Sequence, residues 1–271
     1  MLKPVEKEIH ISIASEPLFF VGPFPVTNSL LVTWIVMLVL LVLTAFATRK
    51  VALVPRGIQN VVEYIFEFLL GLIESVTLSR KKAERFFPLL ATFFVFIFTA
   101  NVTDIIPGIG TIGLHEFIGS EEKFIPLLRP PSADLNFTLA LALVSVIGAQ
   151  FFGIGALGFF KHLGKYFTFK GGPIHTFVGL LEAVSEVAKM ISFSFRLFGN
   201  IFAGEVLLTV MAVIVPFVAP LPFYLLETFV AFIQALVFTM LSLVFMTLAT
   251  MSHGEAEHSS RSAPQKMPAR T

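Results

Sequence analysis

Apolar positions along the chain gather into runs rather than alternating. Charge-free stretches near 29–48, 86–106, 135–160, 206–226 and 228–252 are each long enough to cross a bilayer, since about 30 Å of hydrocarbon takes roughly 20 helical residues. A further stretch, 174–205, has the periodicity of a helix but carries ionisable residues. No proline lies between Pro173 and Pro216, so this stretch and the start of the next run read as one helix over 174–215. At 1.5 Å per residue such a helix is about 60 Å long, about twice the hydrocarbon thickness, and must cross at a steep tilt. Pro216-Phe217-Val218-Ala219-Pro220-Leu221-Pro222 then reverses the chain into a helix over 222–252. Residues 57–79 differ: Ile58, Val61, Val62, Ile65, Phe66, Leu69 and Leu70 share one helical face, which Gln59, Glu63, Glu67 and Glu74 interrupt. That pattern predicts an amphipathic helix at the membrane interface, with an ordinary packing helix as the plainer reading.

The fold expected is an all-α integral membrane protein of one domain spanning 1–271. It has five transmembrane helices at 29–48, 86–106, 135–160, 174–215 and 222–252, an interfacial helix at 57–79, an outer segment at 1–28 and a tail at 253–271. The last two spans form a long tilted hairpin. Composition agrees: 56% of residues are hydrophobic and only 14% charged, well outside the range of soluble domains. A net charge of +1 leaves no footprint for nucleic acid, and the absence of cysteine removes disulfides and thiolate chemistry together.

Loop charge sets the expected orientation. Arg49, Lys50 and Arg56 follow the first span, Arg80, Lys81, Lys82 and Arg85 precede the second, and Lys161, Lys165 and Lys170 follow the third. Those loops belong on the cytoplasmic side. Asp104 to Asp134, with Glu116, Glu121 and Glu122, suits the opposite side, so the N-terminus lies outside and the C-terminal tail inside. Ala45-Phe46-Ala47 resembles a signal-peptidase site, but Arg49 and Lys50 follow it at once, as they follow a retained span. With no transit peptide ahead of the first span, the expected location is a bacterial inner membrane.

Inside this apolar framework stands Arg196. An arginine in a span costs about 2.5–3.5 kcal/mol even on lenient insertion scales and does not shed its charge. On a helical wheel Glu182, Lys189, Ser192 and Asn200 fall within about 40° of it, forming one polar stripe, whereas Glu205 comes out about 180° away. Glu227 lies nearly on the face of Gln234 in the last helix. Closing the hairpin brings Glu205 and Glu227 to one outer depth, and Arg196 and Gln234 to another near the middle. Asn101 and Asp104, at i and i+3, can face the same outer cavity, with Asp134 and Asn136 at that level. Glu182, Glu186 and His175 are candidates for a second, inner cavity. Two acids outside one arginine look like an aqueous inlet ending at a barrier; the plainer alternative for Arg196 is a structural ion pair with Glu182 or Glu186.

Other motifs carry less. Gly108-Ile109-Gly110-Thr111-Ile112-Gly113 and Gly153-Ile154-Gly155-Ala156-Leu157-Gly158 match a dinucleotide fingerprint, but neither sits between a strand and a helix. They read as a loop and a close-packing helix face. Lys165 follows Gly164, but Phe159 stands where a phosphate loop needs its first glycine, and His115-Glu116 and the His253 and His258 tail lack metal-ligand spacing, so no cofactor and no metal are expected.

Phe195-Arg196-Leu197-Phe198-Gly199-Asn200, then Ala203-Gly204-Glu205 and Gln234, resembles subunit a of the F-type ATP synthase, bacterial type. Asn101-Val102-Thr103-Asp104-Ile105-Ile106-Pro107, Pro131-Ser132-Ala133-Asp134-Leu135-Asn136 and Leu181-Glu182-Ala183-Val184-Ser185 extend the resemblance in order. It implies a stator holding two offset proton half-channels against a rotating ring of subunit c, beside subunit b and the soluble catalytic sector, with no catalysis by this chain alone. Arg196 matches the family's essential arginine, Asn200, Glu205 and Gln234 its assisting positions, Asn101 and Asp104 the outer half-channel, and Glu182, Lys189 and Ser192 the inner side. Glu227 departs from members that place a histidine there; two facing acids replace a His-Glu relay and are suited to sharing a proton. The rival reading, a secondary transporter whose midplane arginine binds an anionic substrate, calls for paired inverted repeats and a helix break near the site. Neither is visible in the sequence.

Overall fold

The computed structural model describes residues 15–49, 52, 56–106, 112–118, 121–164, 173–215 and 220–251. Five helices are long and apolar enough to span a membrane: α1 (Asn28–Thr48), α3 (Arg80–Ile105), α4 (Leu135–Leu157), α6 (Pro173–Ile214) and α7 (Pro220–Thr250). Between the first two lies α2 (Ile58–Thr77), and a short α5 (Phe159–Leu163) follows α4. The expected all-α membrane architecture with five spans is what the chain forms.

Each helix buries one stripe. In α1 only Asn28, Ser29, Val32 and Val36 are buried, a single line at helical spacing, while the remaining apolar face is exposed, as a lipid-facing helix requires. Thr27 caps it, its hydroxyl accepting from the Leu30 amide at 3.3 Å. The helix α2 buries Leu69, Ile73 and Thr77 against α3, so one part of its apolar face serves packing. Val61, Tyr64 and Phe68 stay exposed on its other flank.

The core is a bundle in which α3 packs on α7 and α4 packs on both α6 and α7. Phe93, Phe193 and Phe238 meet there, with ring centroids 5.5 Å apart for Phe93–Phe238 and 5.0 Å for Phe193–Phe238. Small polar residues join helices across it: Ser145 and Ser242 hydroxyls lie 2.7 Å apart, and those of Thr138 and Ser194 3.0 Å apart. In hydrocarbon no hydrophobic gain separates helix from lipid, so close packing and such bonds carry the association.

Two hairpins were not foreseen. Pro17–Val21 (β1) pairs antiparallel with Phe24–Thr27 (β2), turning at Gly22, whose φ of 62° suits the first position of a tight hairpin turn. Gly113–Ile118 (β3) pairs with Glu121–Pro126 (β4) in the loop between α3 and α4. The two are joined to the bundle at one end, where Asn28 Nδ2 donates to the Pro126 carbonyl at 3.1 Å. Asp134 accepts from the Ser15 and Ser29 hydroxyls, each at 2.6 Å, and from the Asn136 amide at 2.8 Å, capping α4. A 3-10 turn, Pro131–Ala133, precedes it and packs under α6.

The third span stops earlier than its apolar run. At Gly158 φ is 83° and ψ 152°, a backbone that only glycine adopts at little cost, and α5 turns back from there. The long helix α6 is unbroken over 42 residues, about 63 Å of axis. The turn joining it to α7 at 216–219 lies outside the described residues.

Candidate functional site

Three groups of polar residues lie along α6. At the end next to the hairpins, Glu205 on α6, Glu227 on α7 and Asp104 on α3 converge. Gly204 makes this approach possible: a Cβ there would collide with the Glu227 carboxyl group, so the absent side chain lets α7's acid lie against the α6 backbone beside Glu205. Asp104 is within electrostatic reach of both glutamates. Asn101, fully buried one turn below it, accepts from the Ser132 hydroxyl at 2.6 Å and faces the Ala231 carbonyl at 3.5 Å. Asp104 Oδ2, Glu205 Oε2 and Glu227 Oε1 are buried without a hydrogen-bond partner. Buried carboxylate oxygens lacking donors are costly when ionised. Carboxyl groups brought this close are able to share protons among themselves.

Sequence reasoning missed one member. Arg129, on the strand-to-turn segment ahead of Pro131, is 4% exposed and places Nη2 3.5 Å from Glu205 Oε2. Nothing local marks it, because its partner lies on a distant helix; the available signal was a cation, one of two with Lys123, in an acidic outer loop. Asp134 and Asn136, grouped with this cavity in the sequence, are not part of it. Asp134 is the α4 cap described above, and Asn136 is exposed.

Near the middle of α6, Asn200 Nδ2 donates to Gln234 Oε1 at 2.8 Å, tying the α6 stripe to α7. Gln234 is buried, whereas Arg196 and Asn200 are exposed on the outward face of the subunit, together with Ser192 and Gly199. Arg196 makes no ion pair or hydrogen bond among the described residues. The ion-pair reading therefore falls to a different cation: Glu186 Oε1 accepts from Lys189 Nζ at 2.8 Å, and the ammonium group sits 4.8 Å from the Phe245 ring centroid.

At the other end, Glu182, Glu186 and Lys189 line a cavity of about 160 Å³ between α4, α6 and α7. Gln150 and His162 complete its polar wall, and neither was anticipated. The turn at Gly158 carries His162 back over Gly153, where a Cβ would stand 2.6 Å from the imidazole, and His162 Nε2 donates to Gln150 Oε1 at 2.5 Å. Gly155 is as close to Arg85, so the second glycine-rich match is a packing face as expected. The His175 side chain and the His253 and His258 tail lie outside the described residues, as does most of Gly108–Gly113.

The two cavities thus sit at opposite ends of α6, with the exposed arginine between them. A family model described as the ATP synthase A chain matches residues 30–247. The chain is 35% identical to ATP synthase subunit a of Moorella thermoacetica over 88% of its own length and 96% of that protein's. It is 37% identical to ATP synthase subunit a of Campylobacter jejuni (strain RM1221), covering 80% and 87% of the two chains, and 35% identical to that of Nitratiruptor, covering 81% and 88%. A match that starts within α1 and ends within α7 takes in all five membrane helices, and the chain accordingly belongs to the ATP synthase A chain family, subunit a of the F-type ATP synthase membrane sector, serving ATP synthesis and proton transport.

Proposed function

We propose that this chain is the stator that leads protons through two offset half-channels, past a rotating ring of subunit c. Protons enter by the outer cavity of Asn101, Asp104, Glu205 and Glu227 and load a ring carboxylate, which turns into lipid once neutral. They leave past Ser192 on the outward face and by the inner cavity of Glu182 and Lys189 after nearly a full turn. Arg196, permanently cationic, favours the ionised ring carboxylate beside it and blocks a direct proton hop between the cavities, with Asn200 and Gln234 steadying that stretch of helix. One charge crossing 100 mV releases about 2.3 kcal/mol, so several protons are needed for each ATP made in the soluble sector.

The observation that carries this reading is the exposure of Arg196 on an outward face, between the acidic cluster at one end of α6 and the polar cavity towards the other. A transporter site would enclose its arginine. In the same proposal the chain is a single domain over 1–271 of a bacterial inner membrane, with its N-terminus outside and its C-terminus in the cytoplasm, held beside subunit b. Catalysis of ATP chemistry belongs to the soluble sector.

The test is ATP-driven acidification of inverted vesicles carrying the assembled complex. Arg196→Ala should abolish pumping while assembly persists. Pumping that survives in Arg196→Ala would make the arginine structural and end the barrier mechanism.

A further inference from the structure

The acidic cluster of the outer cavity contains a cation that the half-channel mechanism, as set out, does not use. We propose that Arg129 is a positioning residue of that cavity: it aims the Glu205 carboxylate toward Glu227 and Asp104 and supplies the positive charge against which protons are exchanged there. This rests on the half-channel reading.

Four observations carry it. Arg129 reaches Glu205 from outside the membrane helices, with Nη2 3.5 Å from Oε2, and its side chain is only 5% exposed while that of Glu205 is 28% exposed. The pair is thus anchored on the arginine side and open on the carboxylate side, the arrangement of a fixed charge holding a working group. Second, the guanidinium also lies within electrostatic reach of Asp104, so it acts on the cluster and not on one acid alone. Third, the segment that bears it is rigidly held: Pro130 and Pro131 follow at once, the Asp134 and Ala133 amides donate to the Pro131 and Pro130 carbonyls at 3.0 and 3.1 Å, and Ser132 is bonded to Asn101 of the same cavity. Fourth, Asp104, Glu205 and Glu227 lie within electrostatic reach of one another, acids so close repel when ionised together, and Arg129 brings the opposite charge to them. Asp134, at the same end of the bundle, is occupied by three hydrogen bonds at the α4 cap.

A cation that tunes the outer cavity leaves a sided signature. The experiment is ATP synthesis by inverted vesicles carrying the whole complex, driven by an imposed potassium diffusion potential, with the lumen pH and the external pH varied separately. The lumen corresponds to the outer cavity. Arg129→Gln should slow synthesis about tenfold and move the lumen-pH profile about one unit towards alkaline pH, the size of shift an opposite charge at this distance produces, without moving the external-pH profile. Arg129→Lys, which keeps the charge and loses the fork, should recover most of the rate and show a smaller shift in the same direction. Arg129→Gln with Glu205→Gln should lose less than the product of the two single losses, since the arginine acts in large part through that acid. An unmoved lumen-pH profile, or multiplicative losses in the double variant, would overturn the proposal. If Arg129→Gln fails to assemble, the Arg129→Lys profile decides by the same criterion. The half-channel reading itself is judged separately by Arg196→Ala in the same vesicles, so its failure is distinguishable from failure of the Arg129 role.

Discussion

Two glycines on α6 separate packing within the subunit from contact beyond it. Gly204 faces Glu227, where a Cβ would collide with the carboxyl group, whereas Gly199 meets nothing within 4 Å. Gly204→Ala should force α6 and α7 apart at the acidic cluster, lowering both proton pumping and the melting temperature of the detergent-solubilised chain. Gly199→Ala should leave or raise that melting temperature, since alanine gains about 0.5–1 kcal/mol in a helix interior, yet still reduce pumping if a partner packs against this face. Pumping assays and thermal unfolding on both variants check the pair of outcomes. The contrast was only half legible in the sequence. Both glycines stand inside the Phe195 to Glu205 motif, which announces Arg196 and Asn200 by their polarity in an apolar run. Which glycine touches α7 depends on the hairpin geometry and not on local pattern. Arg129 was invisible for the same reason: hydrophobic periodicity reports which face a helix buries, and it is silent about a loop cation whose partner lies on another element.

At the scale of elements, periodicity served best where helices were long. The helices α1, α4, α6 and α7 end within three residues of the expected spans while α3 begins six residues early, at Arg80; long helices are legible because a membrane span must bond its whole backbone internally. The hairpins escaped notice because Pro-Leu-Phe-Phe-Val has no polar alternation and β3 with β4 carries mixed charge, leaving only the short dipeptides Gly22-Pro23 and Gly119-Ser120 as turn signals. The α4 to α5 turn escaped because a glycine inside a glycine-rich run does not reveal which one is left-handed. Its φ of 83° and ψ of 152° make Gly158→Ala a backbone test: with nothing nearby to clash, the change should still destabilise the chain by about 1–3 kcal/mol, through strain alone. Chemical denaturation in detergent measures that loss. Displacement of His162 from Gly153 and Gln150 should accompany it, seen as a slower proton release on the inner side.

For the molecule as a whole, the bundle closes its interior but not its surface. Most large apolar residues of α1 and one flank of α6 face outward, as lipid contact explains for Leu38, Leu41 and Phe46. Lipid does not explain Arg196 on an equally open face, where a cation at the bilayer centre costs about 2.5–3.5 kcal/mol on insertion scales. A newly inserted copy that has not met its ring therefore displays a local defect, with water and lipid headgroups drawn in towards the guanidinium. Such a defect would give a membrane protease a physical mark by which to tell an orphan from an assembled subunit. Arg196→Leu should lengthen the half-life of the chain in cells lacking subunit c, measured by pulse-chase, and leave it unchanged where the complex forms. The residue proposed to bar a direct proton hop would then also timestamp the construction of the complex.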